Sequence, residues 1–202
     1  MIDTLHPASN TGIAAMIDTD QLITFITLLE AKGIEYALVG GAALMTLDDC
    51  MRPTDDFDFI VSKQDIERLE ELEQESSDRN FGRYLYQDTR IDALYRDNPV
   101  FNHVMNTCLD SAVIKGKKIV RASPEGIVLL KLYALPSLYQ QGQQRRAMTY
   151  ENDISALLMQ CTDISFDKTL RVLAGELLPS QIDELRNILE DCQRRASRQR
   201  FG

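Results

Sequence analysis

Two carboxylates stand one residue apart in a short apolar segment of the chain, Asp56-Phe-Asp-Phe-Ile-Val61. This pattern predicts a β-strand, in which residues two apart point to the same side, so Asp56 and Asp58 share one face. Adjacent carboxylates repel each other unless a cation lies between them. Mg²⁺ prefers hard oxygen ligands and often joins carboxylates to the phosphates of a substrate. The pair therefore predicts a metal site for phosphate chemistry.

A third carboxylate, Asp92, lies in Arg90-Ile-Asp-Ala-Leu-Tyr95, which predicts a neighbouring strand. An aspartate among apolar residues needs a partner, because burying an unpaired charge is costly. Asp56, Asp58 and Asp92 together would hold two metal ions about 3.5–4 Å apart, which stabilise the attacking and leaving oxygens of an in-line displacement. Taken alone, Asp92 is more often a structural residue.

A glycine pair, Gly40-Gly41, stands between a predicted strand at residues 36–39 and a predicted helix at residues 42–47. Backbone N–H groups without side chains, at the positive end of a helix dipole, favour an anion such as phosphate. Alone, the pair is typical of an ordinary turn. Its order relative to the acidic pair downstream favours a phosphate-binding turn.

One lysine, Lys131, lies in Ile127-Val-Leu-Leu-Lys-Leu132, a predicted helix that is apolar nearly all round. A lysine in that setting needs a charged partner or an anion such as a triphosphate. The alternative is a lysine whose ammonium group reaches water beyond the apolar surface.

The elements that must position these residues predict an α/β (α+β) fold: a small mixed sheet flanked by helices, then an all-helical C-terminal part. A helix is predicted from Asp20 to Lys32, and another from an N-cap at Ser62 to about Ser76. Ser123-Pro-Glu predicts the start of a helix running through Leu135. We therefore divide the chain into an α/β core, residues 1–122, and a helical region, residues 123–202.

Composition excludes several classes of protein. The 202 residues carry a formal net charge of −9, unlike a general nucleic-acid binder. Four scattered cysteines without a CxxC pair, and only two histidines, argue against a zinc site or a histidine-activated nucleophile. No stretch approaches the roughly 18 apolar residues of a membrane span, and the N-terminus does not resemble a secretory signal. We therefore expect a cytoplasmic protein without a membrane partner.

The one locally basic segment is the tail QRRASRQR, with Arg194, Arg195, Arg198 and Arg200. It is interpreted either as a contact for RNA or another partner, or as a solvated and frayed helix end, where cations suit the helix dipole. The second interpretation is favoured.

The order of glycine pair, D-x-D strand and later carboxylate resembles the DNA polymerase β-like nucleotidyltransferase superfamily. Arg52-Pro-Thr-Asp-Asp-Phe-Asp58 is similar to the R-x-T-x-D-h-D signature of its small bacterial members. The run from Ser123 to Ala134 is similar to their S-P-E-x-x-x-x-x-K-L-x-A helix. The resemblance covers about residues 34–160, and residues 1–122 would then be the nucleotidyltransferase core.

Within this superfamily the chain looks closest to toxin-type enzymes of AbiEii kind, which belong to toxin–antitoxin pairs. In such relatives a helical lysine and a later aspartate join the site, and the matching positions are Lys131 and Asp153. The chain departs from the pattern at Tyr150, where relatives often carry the first aspartate of a K-D-x-x-D run, and in the acidic loop at residues 48–51.

The resemblance implies an enzyme that moves a nucleoside monophosphate from an NTP such as ATP to an acceptor hydroxyl on tRNA, other RNA or protein, releasing pyrophosphate. The implied cofactor is Mg²⁺, with Mn²⁺ as the alternative, and the implied partner is a cognate antitoxin. The implied catalytic site consists of the metal ligands Asp56, Asp58 and Asp92, of Gly40, Gly41 and Lys131 on the phosphates, and of Asp153 in nucleotide binding.

Two other functions stay open. The acceptor could be a small molecule such as an aminoglycoside, since an acidic body suits a cationic drug, although the basic tail favours RNA. Alternatively, the fold could be a non-catalytic nucleotide-binding protein or toxin–antitoxin partner. The complete acidic triad argues against the second, because like charges without a metal are unfavourable.

Overall fold

Seven strands form one mixed sheet in the computed structural model, which describes residues 19–47 and 56–200. The strands are β1 (Tyr36–Val39), β2 (Asp56–Val61), β3 (Glu73–Ser77), β4 (Phe81–Tyr86), β5 (Thr89–Tyr95), β6 (Leu109–Ile114) and β7 (Lys117–Ala122). Their spatial order is β3-β4-β5-β2-β1-β7-β6. The pairs β2–β5 and β1–β7 are parallel and the others antiparallel. Strand β2 therefore lies at the centre, with its site-facing carboxylates beside β5.

Helices flank this sheet and make up the C-terminal part. They are α1 (Thr19–Ala31), α2 (Gly40–Leu44), α3 (Lys63–Ile66), α4 (Pro99–Thr107), α5 (Pro124–Gln140), α6 (Gln144–Gln160), α7 (Phe166–Leu173) and α8 (Pro179–Arg200). The predicted fold class, a mixed sheet flanked by helices and followed by a helical C-terminal part, is confirmed. No helix in the described part of the chain is long and apolar enough to cross a membrane.

The central strand β2 shows the alternation that its sequence predicts. Phe57 and Phe59 are at most 2% exposed, whereas Asp56 and Asp58, which alternate with them, are partly exposed. The ring of Phe59 packs edge-on against Phe25 of α1, with the ring centroids 5.2 Å apart. Because burial of large aromatic rings is strongly favourable, the core side of β2 fixes the orientation of its polar side.

Helix α5 begins as its first residues predict. The Ser123 hydroxyl accepts a hydrogen bond from the Gly126 N–H at 3.3 Å, and Pro124 occupies the first helical position. A Cβ atom at Gly126 would lie 3.0 Å from the Cys108 carbonyl oxygen, so glycine lets α5 start close against the end of α4. The helix continues past Leu135 to Gln140.

The predicted helix from Ser62 to about Ser76 is wrong. Ser62 does cap a helix, accepting from the Asp65 N–H, but α3 ends at Ile66. Residues 73–77 form β3, an edge strand antiparallel to β4 in which every side chain is exposed. Backbone pairing with β4 overrides the local helix preference of this Glu-rich segment, because tertiary context outweighs weak intrinsic propensities.

The arginine-rich tail belongs to helix α8, which continues to Arg200. Arg195 Nη2 lies 2.7 Å from Glu151 Oε2 of α6. Arg194 forms an ion pair with Asp191 on its own helix. These two arginines therefore have acidic partners within the protein.

A chain of hydroxyl groups joins the three strands at one end of the sheet. Tyr95 Oη on β5 lies 2.8 Å from Tyr84 Oη on β4 and 2.9 Å from Ser77 Oγ on β3. The ring of Tyr95 packs over Gly82, where any Cβ atom would overlap its hydroxyl group. This contact holds the edge strands in register with β5, which carries Asp92.

We expect Tyr95→Phe to lower the free energy of unfolding by about 1–2 kcal/mol, because two partners lose a shared hydroxyl group and Tyr84 is buried. Urea denaturation would measure the loss. Ser77→Ala is the matched control: it removes one of the two bonds at an exposed residue and should cost less. Equal stability of Tyr95→Phe and wild type would contradict this role for the hydroxyl chain.

Candidate active site

Sheet register brings the three predicted carboxylates to one face. Asp58 and Asp92 are direct Cα partners in the parallel pair β2–β5, and Asp56 lies two residues earlier on the same side of β2. On its other side, Asp58 pairs with Val39, the last residue of β1, immediately before Gly40. The strands thus place the acidic cluster beside the turn that contains the glycine pair.

Asp58 has the most perturbed electrostatics of the three. Its pKa is raised from 3.8 to about 7, first by burial and then by the neighbouring charges of Asp56 and Asp92. Lys131 and Arg146 oppose this rise. Lys131 and Arg146 therefore do not fully compensate the negative charge of ionised Asp58, and a bound cation would do so.

Gly40 makes room for Asp58. Its φ angle is +63°, and a Cβ atom there would overlap Asp58 Oδ2 and lie 2.6 Å from Cγ. A side chain is thus excluded by backbone conformation and by space. Gly41 is buried in the five-residue helix α2, where its carbonyl accepts from the Met45 N–H at 3.1 Å.

Lys131 is buried and paired. Its side chain is 4% exposed, and Nζ lies 2.7 Å from Asp153 Oδ2 and 4.1 Å from the centroid of the Tyr150 ring. The alternative of a lysine with its ammonium group in water is therefore wrong. Asp153 lies beside the predicted lysine, and its contact with Lys131 neutralises part of the positive charge on α5.

Arg83 was not predicted as a site residue. It stands opposite Asp92 in the antiparallel pair β4–β5, with Nε 2.7 Å from Oδ1 and Nη2 2.8 Å from Oδ2. This two-bond contact raises the pKa of the guanidinium. The sequence does contain a signal for this contact. Tyr86 and Thr89 pair across a two-residue hairpin loop, and counting along both strands from that loop places Arg83 opposite Asp92.

Helix α6 contributes two further residues to this region, Arg146 and Tyr150. Arg146 Cζ lies 5.7 Å from the Tyr150 ring centroid, and its Nη2 donates to Tyr150 Oη at 3.4 Å. Tyr150 thus contacts both Arg146 and Lys131. At the position where relatives often carry an aspartate, this chain offers an aromatic face to two cations.

A cleft of about 700 Å³ opens between the carboxylate face of the sheet and helices α5 and α6. Of the predicted site residues, Gly40, Asp58, Asp92 and Lys131 line it, whereas Asp56, Gly41 and Asp153 do not. Among the residues that the structure describes, its charged lining consists of three carboxylates and three cations, namely Asp58, Asp78, Asp92, Arg83, Lys131 and Arg146. This volume is in the range of small-molecule and cofactor sites.

The donor set suits a hard divalent cation. Carboxylate oxygens are the ligands that Mg²⁺ prefers, and the raised pKa of Asp58 reports negative charge that a cation would neutralise. Among the described residues, no three His, Cys, Asp or Glu side chains are arranged as a ready metal cluster. Arg83 holds both oxygens of Asp92 and thereby occupies part of the donor set.

Comparison with known proteins identifies the fold. No family model matches the sequence, and no curated protein matches it at a significant level. The structure is similar to that of an antigenic nucleotidyltransferase-like protein from Paracoccidioides brasiliensis: the TM-score is 0.53 at 20% identity, over 87% of this chain and 95% of that one. It is also similar to the solution structure of the antibiotic-resistance factor ANT(2'')-Ia, with a TM-score of 0.50 at 16% identity, over 92% of this chain and 98% of that one. The chain therefore has a nucleotidyltransferase-like fold, and the resemblance seen in the sequence is confirmed at that level.

Gly40→Ala should destabilise the protein by more than backbone strain alone. Gly142→Ala is the matched control, because Gly142 has a φ of +68° and open space around its Cα. We expect the control to lose about 1–2 kcal/mol from left-handed strain, and Gly40→Ala to lose about 1–3 kcal/mol more from the clash with Asp58. Chemical denaturation of both variants measures the difference. Equal losses would show that Asp58 does not need the space.

Asp58→Asn should stabilise the metal-free protein in a pH-dependent way. Because the folded pKa is about 7 and the ordinary value 3.8, ionisation of Asp58 opposes folding, and wild-type stability falls as pH rises through this window. The variant cannot ionise, so its advantage should grow from about pH 4 to pH 7 and then level off. Denaturation in EDTA at several pH values measures it. An advantage that does not change with pH would contradict the raised pKa.

Proposed function

We propose that this protein is a metal-dependent nucleotidyltransferase that moves a nucleoside monophosphate from an NTP to an acceptor hydroxyl. The carrying observation is the cluster of carboxylates around Asp58, whose pKa is raised to about 7, at the edge of a cleft in a nucleotidyltransferase-like fold. In the proposed reaction the acceptor oxygen bonds to the α-phosphorus, the bond from that phosphorus to the bridging oxygen breaks, and pyrophosphate leaves.

Each residue would have a separate task. Asp56, Asp58 and Asp92 would hold Mg²⁺, which when bound supplies positive charge to the phosphate oxygens, with Mn²⁺ as the alternative ion. Asp92 would also accept or direct the proton leaving the acceptor hydroxyl. The backbone at Gly40 and Gly41 would bind the triphosphate, and Lys131 would neutralise part of its charge.

The helical region would form the opposite wall of the site. We propose the division between residues 122 and 123 because β7 ends at Ala122 and α5 begins at Pro124. Lys131 on α5 and Arg146 on α6 face the carboxylates of the sheet across the cleft. Asp153 would act in nucleotide binding by positioning Lys131.

For the acceptor we propose RNA, tRNA in particular, or protein. Support comes from the R-x-T-x-D-h-D run and the S-P-E helix, which resemble small bacterial members of the superfamily. Within it the chain looks closest to the AbiEii-type toxin enzymes, a resemblance that would also imply a cognate antitoxin. The arginine tail gives little support, because Arg194 and Arg195 pair with acidic residues of the chain itself.

A small-molecule acceptor is the second candidate, favoured by the similarity to ANT(2'')-Ia. Against a polycationic drug stands the charge of the cleft, where Asp78 is the one lining carboxylate outside the acidic cluster among residues 19–47 and 56–200. Asp78 Oδ1 already accepts from the N–H groups of Asn80 and Phe81, at 2.7 and 2.8 Å. In the described part of the lining, an aminoglycoside would thus find few carboxylates beyond those that bind the metal.

The deciding experiment incubates the protein with each α-labelled NTP, Mg²⁺ and either total tRNA, protein extract or an aminoglycoside. We expect label to move to one acceptor class, and Asp56→Asn or Asp58→Asn to reduce transfer by roughly a thousandfold, because neither amide holds the cation. Asp167→Asn, at a side chain that is 84% exposed on α7, is the control and should act as wild type.

Transfer at the wild-type rate by Asp56→Asn or Asp58→Asn would overturn the assignment of these residues. Absence of both transfer and Mg²⁺-dependent NTP binding would instead favour a non-catalytic partner protein on the same fold.

A further inference from the structure

The ion pair between Arg83 and Asp92 occupies a ligand that the proposed reaction needs. Two nitrogens of one guanidinium contact the two oxygens of one carboxylate, at 2.7 and 2.8 Å. Asp92 is 16% exposed and Arg83 is 42% exposed, and both line the cleft. The contact is therefore part of the site, on the side of the sheet where the substrate would lie.

A divalent cation and this guanidinium compete for Asp92. A fork of two N–H donors takes the favoured lone-pair directions of both oxygens. Two positive groups on one carboxylate also repel each other. Metal binding at Asp92 therefore weakens the hold of Arg83 on this carboxylate and favours its release.

Arg83 differs in this respect from Lys131. Lys131 is 4% exposed, with its ammonium group between Asp153 and the Tyr150 ring, so it has little room to move. Arg83 stands on β4 next to the edge strand β3, with Ser76 as its Cα partner and a side chain that is open to the cleft. A released Arg83 would keep its charge in the cleft, where the nearest new anion is the substrate.

We propose that Arg83 exchanges partners when substrate binds: the divalent cation displaces it from Asp92, and its guanidinium then pairs with the phosphates of the nucleotide. This inference rests on the proposed nucleotidyl transfer. The same planar fork that fits a carboxylate also fits two phosphate oxygens, so the exchange conserves the number of charge-assisted hydrogen bonds. Arg83 compensates the acidic cluster before the metal arrives and binds the nucleotide afterwards.

The exchange makes two predictions of opposite sign. Removing Arg83 removes the competitor, so the protein should bind the metal alone more tightly. It also removes a phosphate ligand, so binding of the nucleotide at saturating metal should weaken. A residue that only stabilises the sheet would weaken both kinds of binding or change neither.

The test uses the full chain with Arg83→Gln, Arg83→Lys and the control Arg96→Gln, which disrupts an ion pair with Glu35 outside the cleft. Mn²⁺ binding without nucleotide is measured by electron paramagnetic resonance, and binding of a non-hydrolysable NTP analogue at saturating Mg²⁺ by calorimetry. For Arg83→Gln we expect Mn²⁺ to bind roughly tenfold more tightly and the analogue roughly tenfold more weakly. Arg83→Lys, which keeps the charge without the fork, should lie between, and Arg96→Gln should match wild type.

Changes of the same sign in both measurements, or no change in either, would overturn the exchange. Asp58→Asn separates this result from the proposed function, because it should abolish Mn²⁺ binding whether or not Arg83 moves. If wild type and Arg83→Gln both fail to bind Mn²⁺, the exchange and the metal site are both wrong. If wild type binds Mn²⁺, Asp58→Asn does not, and Arg83→Gln matches wild type, the exchange alone is wrong.

Discussion

Repulsion among three carboxylates is the constraint around which this sheet is built. Backbone register on β2 and β5 holds Asp58 against Asp92, and the alternation of β2 places Asp56 on the same face. Burial and mutual repulsion oppose this arrangement, and the nearby cations offset them only in part, as the raised pKa of Asp58 shows. The opposite face of β2 supplies the compensating free energy, because burial of Phe57 and Phe59 on one face places Asp56 and Asp58 on the other.

In the described part of the chain, positive charge reaches this cluster from three separate elements: Arg83 from β4, Lys131 from α5 and Arg146 from α6. Two of the three come from the helical part, so the cleft lies where that part meets the sheet. Tyr150 also affects the charge balance of this cluster. It contacts both helical cations through its ring without adding another negative charge, whereas an aspartate there would increase the repulsion on Asp58.

Short-range sequence patterns predicted those features that interactions between neighbouring residues determine. Alternation in residues 56–61 predicted both a strand and the face of its carboxylates, and Ser123-Pro-Glu predicted the start of α5. The Glu-rich segment at 73–77 misled, because pairing with β4 decides its conformation. Arg83 and the Lys131–Asp153 pair depend on register and on helix packing between distant segments. Composition and periodicity say little about such contacts between distant segments, although the hairpin turn before Thr89 does indicate that Arg83 lies opposite Asp92.

Charge balance in the cleft limits how an acceptor would be recognised under the proposed function. A divalent cation and a triphosphate would engage the carboxylates and the three cations, which leaves the rest of the described lining nearly neutral. That remainder is aromatic at Phe81, Phe101 and Tyr133, whose rings meet edge-on, and amide-rich at the glutamines that end α5 and begin α6. Phe81 is 45% exposed within this wall, an unusual position for a large apolar side chain unless a ligand covers it. Stacking and neutral hydrogen bonds, more than charge, would therefore select the acceptor, and a planar or polyhydroxylated group meets that wall better than a polycation does.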